Sequence, residues 1–118
     1  MKIYFKTKKL QKQCSEMREM VRVFGQAMAD KLSQRLAELH AADSLAEITP
    51  LPPPRCHELT NRKGVFSVNL VHPYRLLFIS ADEPAPLRDD GGIKLDSVFE
   101  VEIIAIEDTH DKKNQRRR

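Results

Sequence analysis

Six residues in this chain are of types, and at places, that could move protons beside a phosphate. His57 stands ahead of the basic glycine turn Arg62-Lys63-Gly64. Arg75 opens the apolar run 74–79, and a second apolar run ends in Asp108-Thr109-His110. In-line cleavage of an RNA phosphodiester by its own 2′-hydroxyl needs a base, an acid and cations, and it needs no metal. Histidine suits the first two roles because its unperturbed pKa of about 6.5 lets it give or take a proton near neutrality. Arginine suits the third, since its planar fork matches two phosphate oxygens and stays charged. On this chemistry His57 and His110 are the acid–base pair, Arg62 and Arg75 the transition-state cations, and Lys63 an RNA contact. Asp108 is placed to orient an imidazole or to hold Arg75.

Each of these residues also has a structural reading. His57 suits a half-exposed strand end, Arg62-Lys63 a solvated turn, and His110 an exposed surface. Arg75 suits an ion pair with Asp108 or Glu102. His72, before Pro73, belongs to a bend, and His40 to the C-terminal cap of a helix.

Charge is distributed unevenly around these candidates. The chain of 118 residues carries a net charge of +3. Residues 112–118 (KKNQRRR) hold five cations and no acid, which leaves a body of net −2. The first twelve residues hold five lysines, and the 55–75 segment holds four cations against Glu58. Residues 82–111 hold ten acids against Arg88 and Lys94. A basic hairpin and a basic tail against an acidic remainder suggest a polyanionic partner.

The elements that must position the candidates follow from periodicity. Tyr4 with Ile3 and Phe5 forms a short first strand. Leu10, Cys14, Met17, Val21 and Phe24 recur at helical spacing up to Gly25, a helix stop. Met28, Leu32, Leu36 and Leu39 repeat the stripe, with Asp30, Lys31, Gln34, Arg35 and Glu38 on the opposite face. Ser44 to Glu47 has the pattern of a capping box and predicts a single turn. Prolines at 50 and 52–54 then forbid helix and lead extended chain across the surface. Phe66, Val68 and Leu70 alternate after the Gly64 turn, 74–79 is a buried strand, and 82–97 is a long mobile hairpin loop. Residues 98–106 are the last strand, with Phe99, Val101 and Ile103 on one face.

The expected fold class is therefore α+β in the order β-α-α-β-β-β. A small, mostly antiparallel sheet carries a helical hairpin on one face. Residues 1–111 form one domain and 112–118 a basic, disordered tail. No apolar run approaches the roughly 20 residues of a membrane span. The lysine-rich N-terminus lacks the apolar core of a signal peptide. Cys14 and Cys56 form no CxxC pair and no metal-ligand spacing, so both are expected reduced and buried in a cytoplasmic protein that needs no cofactor.

The stretches HELTNRKGVFSVNLVHPYRLLF and EVEIIAIEDTH resemble the RelE/HigB group of toxins from bacterial toxin–antitoxin pairs (the killer protein group). The group shows a His before a basic glycine turn, an aromatic-Arg-aliphatic strand start and a terminal Asp-Tyr-His. The motif resemblance covers about residues 55–79 and 98–111, and the order of elements extends it over nearly the whole chain. It implies an mRNA endonuclease, an mRNA interferase working on message bound to the ribosome, which arrests translation. It also implies a cognate helix-turn-helix antitoxin, with DNA reached only through that partner. By this resemblance His57, Arg62, Arg75, Asp108 and His110 are the catalytic residues. Two positions depart from the group: Thr60 stands where it often has Lys, and Thr109 where it has Tyr. Two other readings share the architecture, a ParE-like toxin that traps DNA gyrase and a degenerate toxin that only binds its antitoxin.

Overall fold

Lys2 and Tyr4 alternate with Ile3 and Phe5 in the first strand, β1 (Lys2–Phe5), which gives it one apolar face. Thr7 caps the helix that follows, α1 (Lys8–Ser15), its hydroxyl oxygen accepting from the Leu10 N–H at 3.0 Å. The stripe from Leu10 to Phe24 predicted one helix. Instead Glu16 is extended (φ −115, ψ 114) and α2 (Met17–Phe24) starts afresh. The break turns the second piece, so that Met20 is buried while Met17 is 48% exposed. It lets α1 pack on β1 and on the last strand, β5 (Glu100–Asp108), while α2 packs on α3 (Gln26–Ala41). Three helices thus stand where two were expected. Gly25, at φ 83, ends α2 and opens α3 in a conformation that a Cβ would strain.

The computed structural model describes residues 1–108; Thr109, His110 and the basic tail lie outside that range. Within it, β2 (His57–Glu58), β3 (Phe66–Asn69), β4 (Tyr74–Ser80) and β5 (Glu100–Asp108) complete a five-stranded sheet in the order β1-β5-β4-β3-β2. Only β1 and β5 run parallel. The α+β class and the mostly antiparallel sheet are as expected, with the short β2 as an additional strand. Phe66, Val68, Leu76, Phe78, Val101 and Ile103 form the apolar face, which packs with Met28, Leu32 and Leu39 of α3 in one core. Phe66 and Phe78, cross-strand partners, stack with ring centroids 6.1 Å apart. Ser67, Asn69, Arg75 and Leu77 project from the opposite face, following the strand period of two.

A bulge decides which acid stands opposite Arg75. Phe78 pairs with Ile103 but Leu77 with Ala105, so Ile104 is the extra residue. Beyond it, Glu107 lies opposite Arg75 and Asp108 opposite Tyr74. At its other end β5 starts at Glu100 rather than Val98. Phe99 is 54% exposed instead of facing the core with Val101, and fully buried Val98 takes the inward position. Val98 also accepts from the Leu45 N–H at 3.1 Å, which anchors the strand's approach.

The 82–97 segment carries structure of its own. Leu87 and Ile93 form a β-bridge closed by the Arg88 N–H donating to the Gly92 carbonyl at 2.7 Å. A 3-10 turn at Leu95–Ser97 packs on another at Leu45–Glu47. The latter is the turn expected at 44–47, formed without a side-chain cap from Ser44. Both cysteines are free and buried, and burial pushes each thiol up to about 11. No helix among the described residues is long and apolar enough to cross a membrane.

Two expectations for α3 are corrected. Arg35, assigned to the solvent face, is 2% exposed. Its Nε donates to the Asn69 carbonyl at 2.7 Å, and its Nη1 donates to both Glu38 oxygens at 3.1 and 3.2 Å. The end of β3 leaves a carbonyl facing the helix, and a buried acceptor needs a donor. His40 stands in the last turn of α3, but the hydrogen bonds to the last carbonyls come from the Met1 nitrogen, which donates to Leu39 and His40 at 3.3 and 2.8 Å. Replacing Arg35 by Met keeps the aliphatic stem and removes the donor. Chemical denaturation of Arg35→Met is expected to show a loss of about 1–3 kcal/mol, the cost of an unsatisfied buried carbonyl.

Candidate anion-binding site

The prolines at 52–54 dock against the end of β3. The Asn69 N–H donates to the Pro54 carbonyl at 2.8 Å and Asn69 Nδ2 to the Pro53 carbonyl at 3.3 Å. The next residue, Arg55, is the one non-glycine residue among those described with a positive φ, 46°. That conformation is costly for a residue with a Cβ and marks a backbone held by its surroundings. It aims the Arg55 carbonyl at β4, where Arg75 Nη2 donates to it at 2.7 Å.

Arg75 is the centre of a larger network. Its Nε donates to Ser67 Oγ at 2.6 Å, and its Nη1 donates to Asn69 Oδ1. Nη2 also lies 3.3 Å from the Ser67 carbonyl and 3.2 Å from His57 Nδ1. These acceptors are all neutral. The sequence had offered Asp108 or Glu102 as ion-pair partners, but the guanidinium is held by hydroxyl, amide and carbonyl oxygens. Its charge is therefore tethered without being neutralised. Burial lowers its pKa from the ordinary arginine value, and the nearby Arg55 charge acts in the same direction.

His57 is fixed on one side only. Its Nδ1 lies 3.1 Å from the Arg55 carbonyl and 3.2 Å from Arg75 Nη2. If Nδ1 carries the proton, it donates to the carbonyl; if not, it accepts from Arg75. Either arrangement leaves Nε2 as the ring nitrogen for a ligand.

These groups border a cavity of about 310 Å³. Arg55, His57, His72 and Arg75 line it, with Asn69 and Tyr74, and among the described residues no carboxylate does so. His72 arrives on a tight turn in which the Tyr74 N–H donates to the Val71 carbonyl at 2.8 Å. Two guanidinium and two imidazole side chains around one hollow suit an anion with several oxygens.

The structure thus brings together two of the six candidates, His57 and Arg75. Arg62 is drawn elsewhere: its Nη1 donates to Glu107 Oε1 at 3.0 Å, both side chains being about a quarter exposed. The bulge in β5 puts Glu107 within its reach. Lys63 is exposed in the turn, where the Gly64 N–H donates to Glu58 Oε2 at 2.6 Å. Asp108 stands opposite Tyr74 in register, and His110 lies outside the described residues.

Arg55, Asn69, His72 and Tyr74 were missed. Asn69 had a signal, since it alternates onto the face of Arg75 once β3 and β4 are paired. Arg55 had none, because nothing in a proline run announces a left-handed residue after it.

Comparison of the chain with family models, with characterised proteins and with solved structures finds no match. Among the described residues no group of three or more His, Cys, Asp or Glu side chains could hold a metal ion.

Arg55 separates stability from binding. Arg55→Gly relieves the positive φ while deleting a cation from the cavity. The variant should match or exceed the parent's stability by up to about 1 kcal/mol. Its affinity for inorganic phosphate, measured by titration calorimetry, should fall about tenfold through loss of one charge-assisted contact.

Proposed function

We propose that this chain is a RelE/HigB-like toxin that cleaves messenger RNA without a metal, on the translating ribosome, and is neutralised by a cognate antitoxin. The observation that carries the reading is the cavity bordered by the guanidinium groups of Arg55 and Arg75 and the imidazoles of His57 and His72. The sequence resemblance at 55–79 and 98–111 supplies the class of substrate.

In this reading a backbone phosphate sits between the two guanidinium groups. His57 Nε2 takes the proton of the 2′-hydroxyl as its oxygen bonds to phosphorus, and the bond from phosphorus to the 5′-oxygen breaks. A second imidazole protonates that leaving oxygen, and the products are a 2′,3′-cyclic phosphate and a free 5′-hydroxyl. His72 borders the cavity and is one candidate for the second imidazole; His110 is the other. Arg75 and Arg55 stabilise the charge that develops on the phosphoryl oxygens, and preorganised charge of this kind is often the largest contribution to rate.

Primer extension on message in a translating extract tests this. Cleavage within the coding region is expected with the parent protein, and uncut message would overturn the proposal. His57→Ala should lower cleavage by about 10²–10⁴-fold, the range for a lost acid or base. Comparing His72→Ala with His110→Ala then assigns the second imidazole.

One observation favours a toxin that binds without cutting: Arg62 is committed to Glu107 instead of the cavity. A ParE-like action on gyrase would show as inhibited supercoiling with message left intact.

A further inference from the structure

His57 borders a second hollow. On the far side of β2, a cleft of about 270 Å³ runs between the 3-10 turn Leu45–Glu47 and the 82–97 segment. Ile48, Phe66, Ile93 and Leu95 supply apolar walls, and Glu58 and Arg88 stand among its lining groups. The Cys56 thiol in its lining stays protonated at neutral pH, because burial pushes it up to about 11. The cleft thus combines apolar walls with the polar side chains of His57, Glu58 and Arg88.

The two charged side chains have opposite signs and few commitments. Among the described residues Arg88 pairs only with Asp90, at 3.2 Å, and both are well exposed, so the pair is weak and exchangeable. Glu58 has one oxygen occupied by the Gly64 N–H. A guanidinium and a carboxylate at one apolar slot match a flat ring that carries acceptors on one part of its edge and donors on another. A nucleobase has that form, and guanine has it most fully: arginine reads its O6 and N7, and a carboxylate accepts from its ring and amino N–H groups. Volume agrees, since the cleft exceeds one purine. Position agrees too, because a single side chain, His57, borders both this cleft and the cavity with Arg55 and Arg75.

We infer that the cleft between the Leu45–Glu47 turn and the 82–97 segment is the base-recognition subsite of the phosphate cavity, takes a purine with guanine preferred, and uses Arg88 and Leu95 to select it. This rests on the proposal that the neighbouring cavity binds the RNA backbone. The 82–97 segment then has a purpose: it does not line the phosphate cavity, and it builds one wall of the base cleft beside it.

Titration calorimetry on the full chain with four probes separates the two ideas: inorganic phosphate, ribose 5-phosphate, guanosine monophosphate and cytidine monophosphate. Guanosine monophosphate should bind about tenfold or more tighter than ribose 5-phosphate, the worth of one well-held base, with cytidine monophosphate between them. Arg88→Ala and Leu95→Asp, both at exposed positions, should bring guanosine monophosphate down to the affinity of ribose 5-phosphate and leave ribose 5-phosphate unchanged. Equal affinity of the parent for guanosine monophosphate and ribose 5-phosphate would overturn the base cleft and leave the phosphate cavity standing. A base preference that survives both substitutions would also overturn it. Failure of inorganic phosphate and ribose 5-phosphate to bind at all would overturn the cavity, and this inference with it.

Discussion

A guanidinium whose acceptors among the described residues are all neutral is the point on which the candidate site depends. Arg75 ties β4 to β3 through Ser67 and Asn69, and to the proline segment through the Arg55 carbonyl. Asn69 in turn receives Arg35 of α3 on its carbonyl, so the helix layer braces the same residue from behind the sheet. A carboxylate partner would have cancelled the charge; hydroxyl, amide and carbonyl oxygens fix its geometry and leave the field in place. Arg55 adds a second positive charge nearby, which together with burial lowers the pKa of Arg75 from the ordinary arginine value. An anion bound between them relieves that repulsion.

The register of β5 decides which acids stand next to this spot. The single extra residue at Ile104 sets the phase of the end of β5, placing Glu107 opposite Arg75 and Asp108 opposite Tyr74. Glu107 then bonds Arg62 at the turn. The same bulge therefore removes Arg62 from the set of available cations. A one-residue change in register can exchange which charges meet, because alternate residues of a strand face opposite ways.

Much of this was legible in the sequence because it follows from period. The alternation of Phe66, Val68, Leu76 and Phe78, the stripe of Met28, Leu32 and Leu39, and the Gly25 stop all lie where pattern placed them, as does the α+β order. His57 and Arg75, both singled out for their chemistry, also meet, although His57 does so from the additional strand β2. What was not legible depended on geometry that periodicity does not carry. The break at Glu16 exposes Met17 although the helical spacing runs straight through it. The buried Arg35 answers a carbonyl on a strand distant in sequence. The left-handed Arg55 and the turn that brings His72 to the cavity arise from how the 50–55 and 70–74 segments dock, and the assignment of Arg62 was lost to a bulge.

The central claim is that Arg75 and His57 form one anion site with Arg55. Nitrogen-15 spectra of the arginine Nε–H and histidine ring resonances, recorded while inorganic phosphate is added, test it most directly. The account predicts that the Arg55, Arg75 and His57 signals shift together along one saturable curve, while Arg62, bound to Glu107, stays in place. Shifts spread evenly over the surface lysines and arginines, with Arg75 and His57 unmoved, would contradict it.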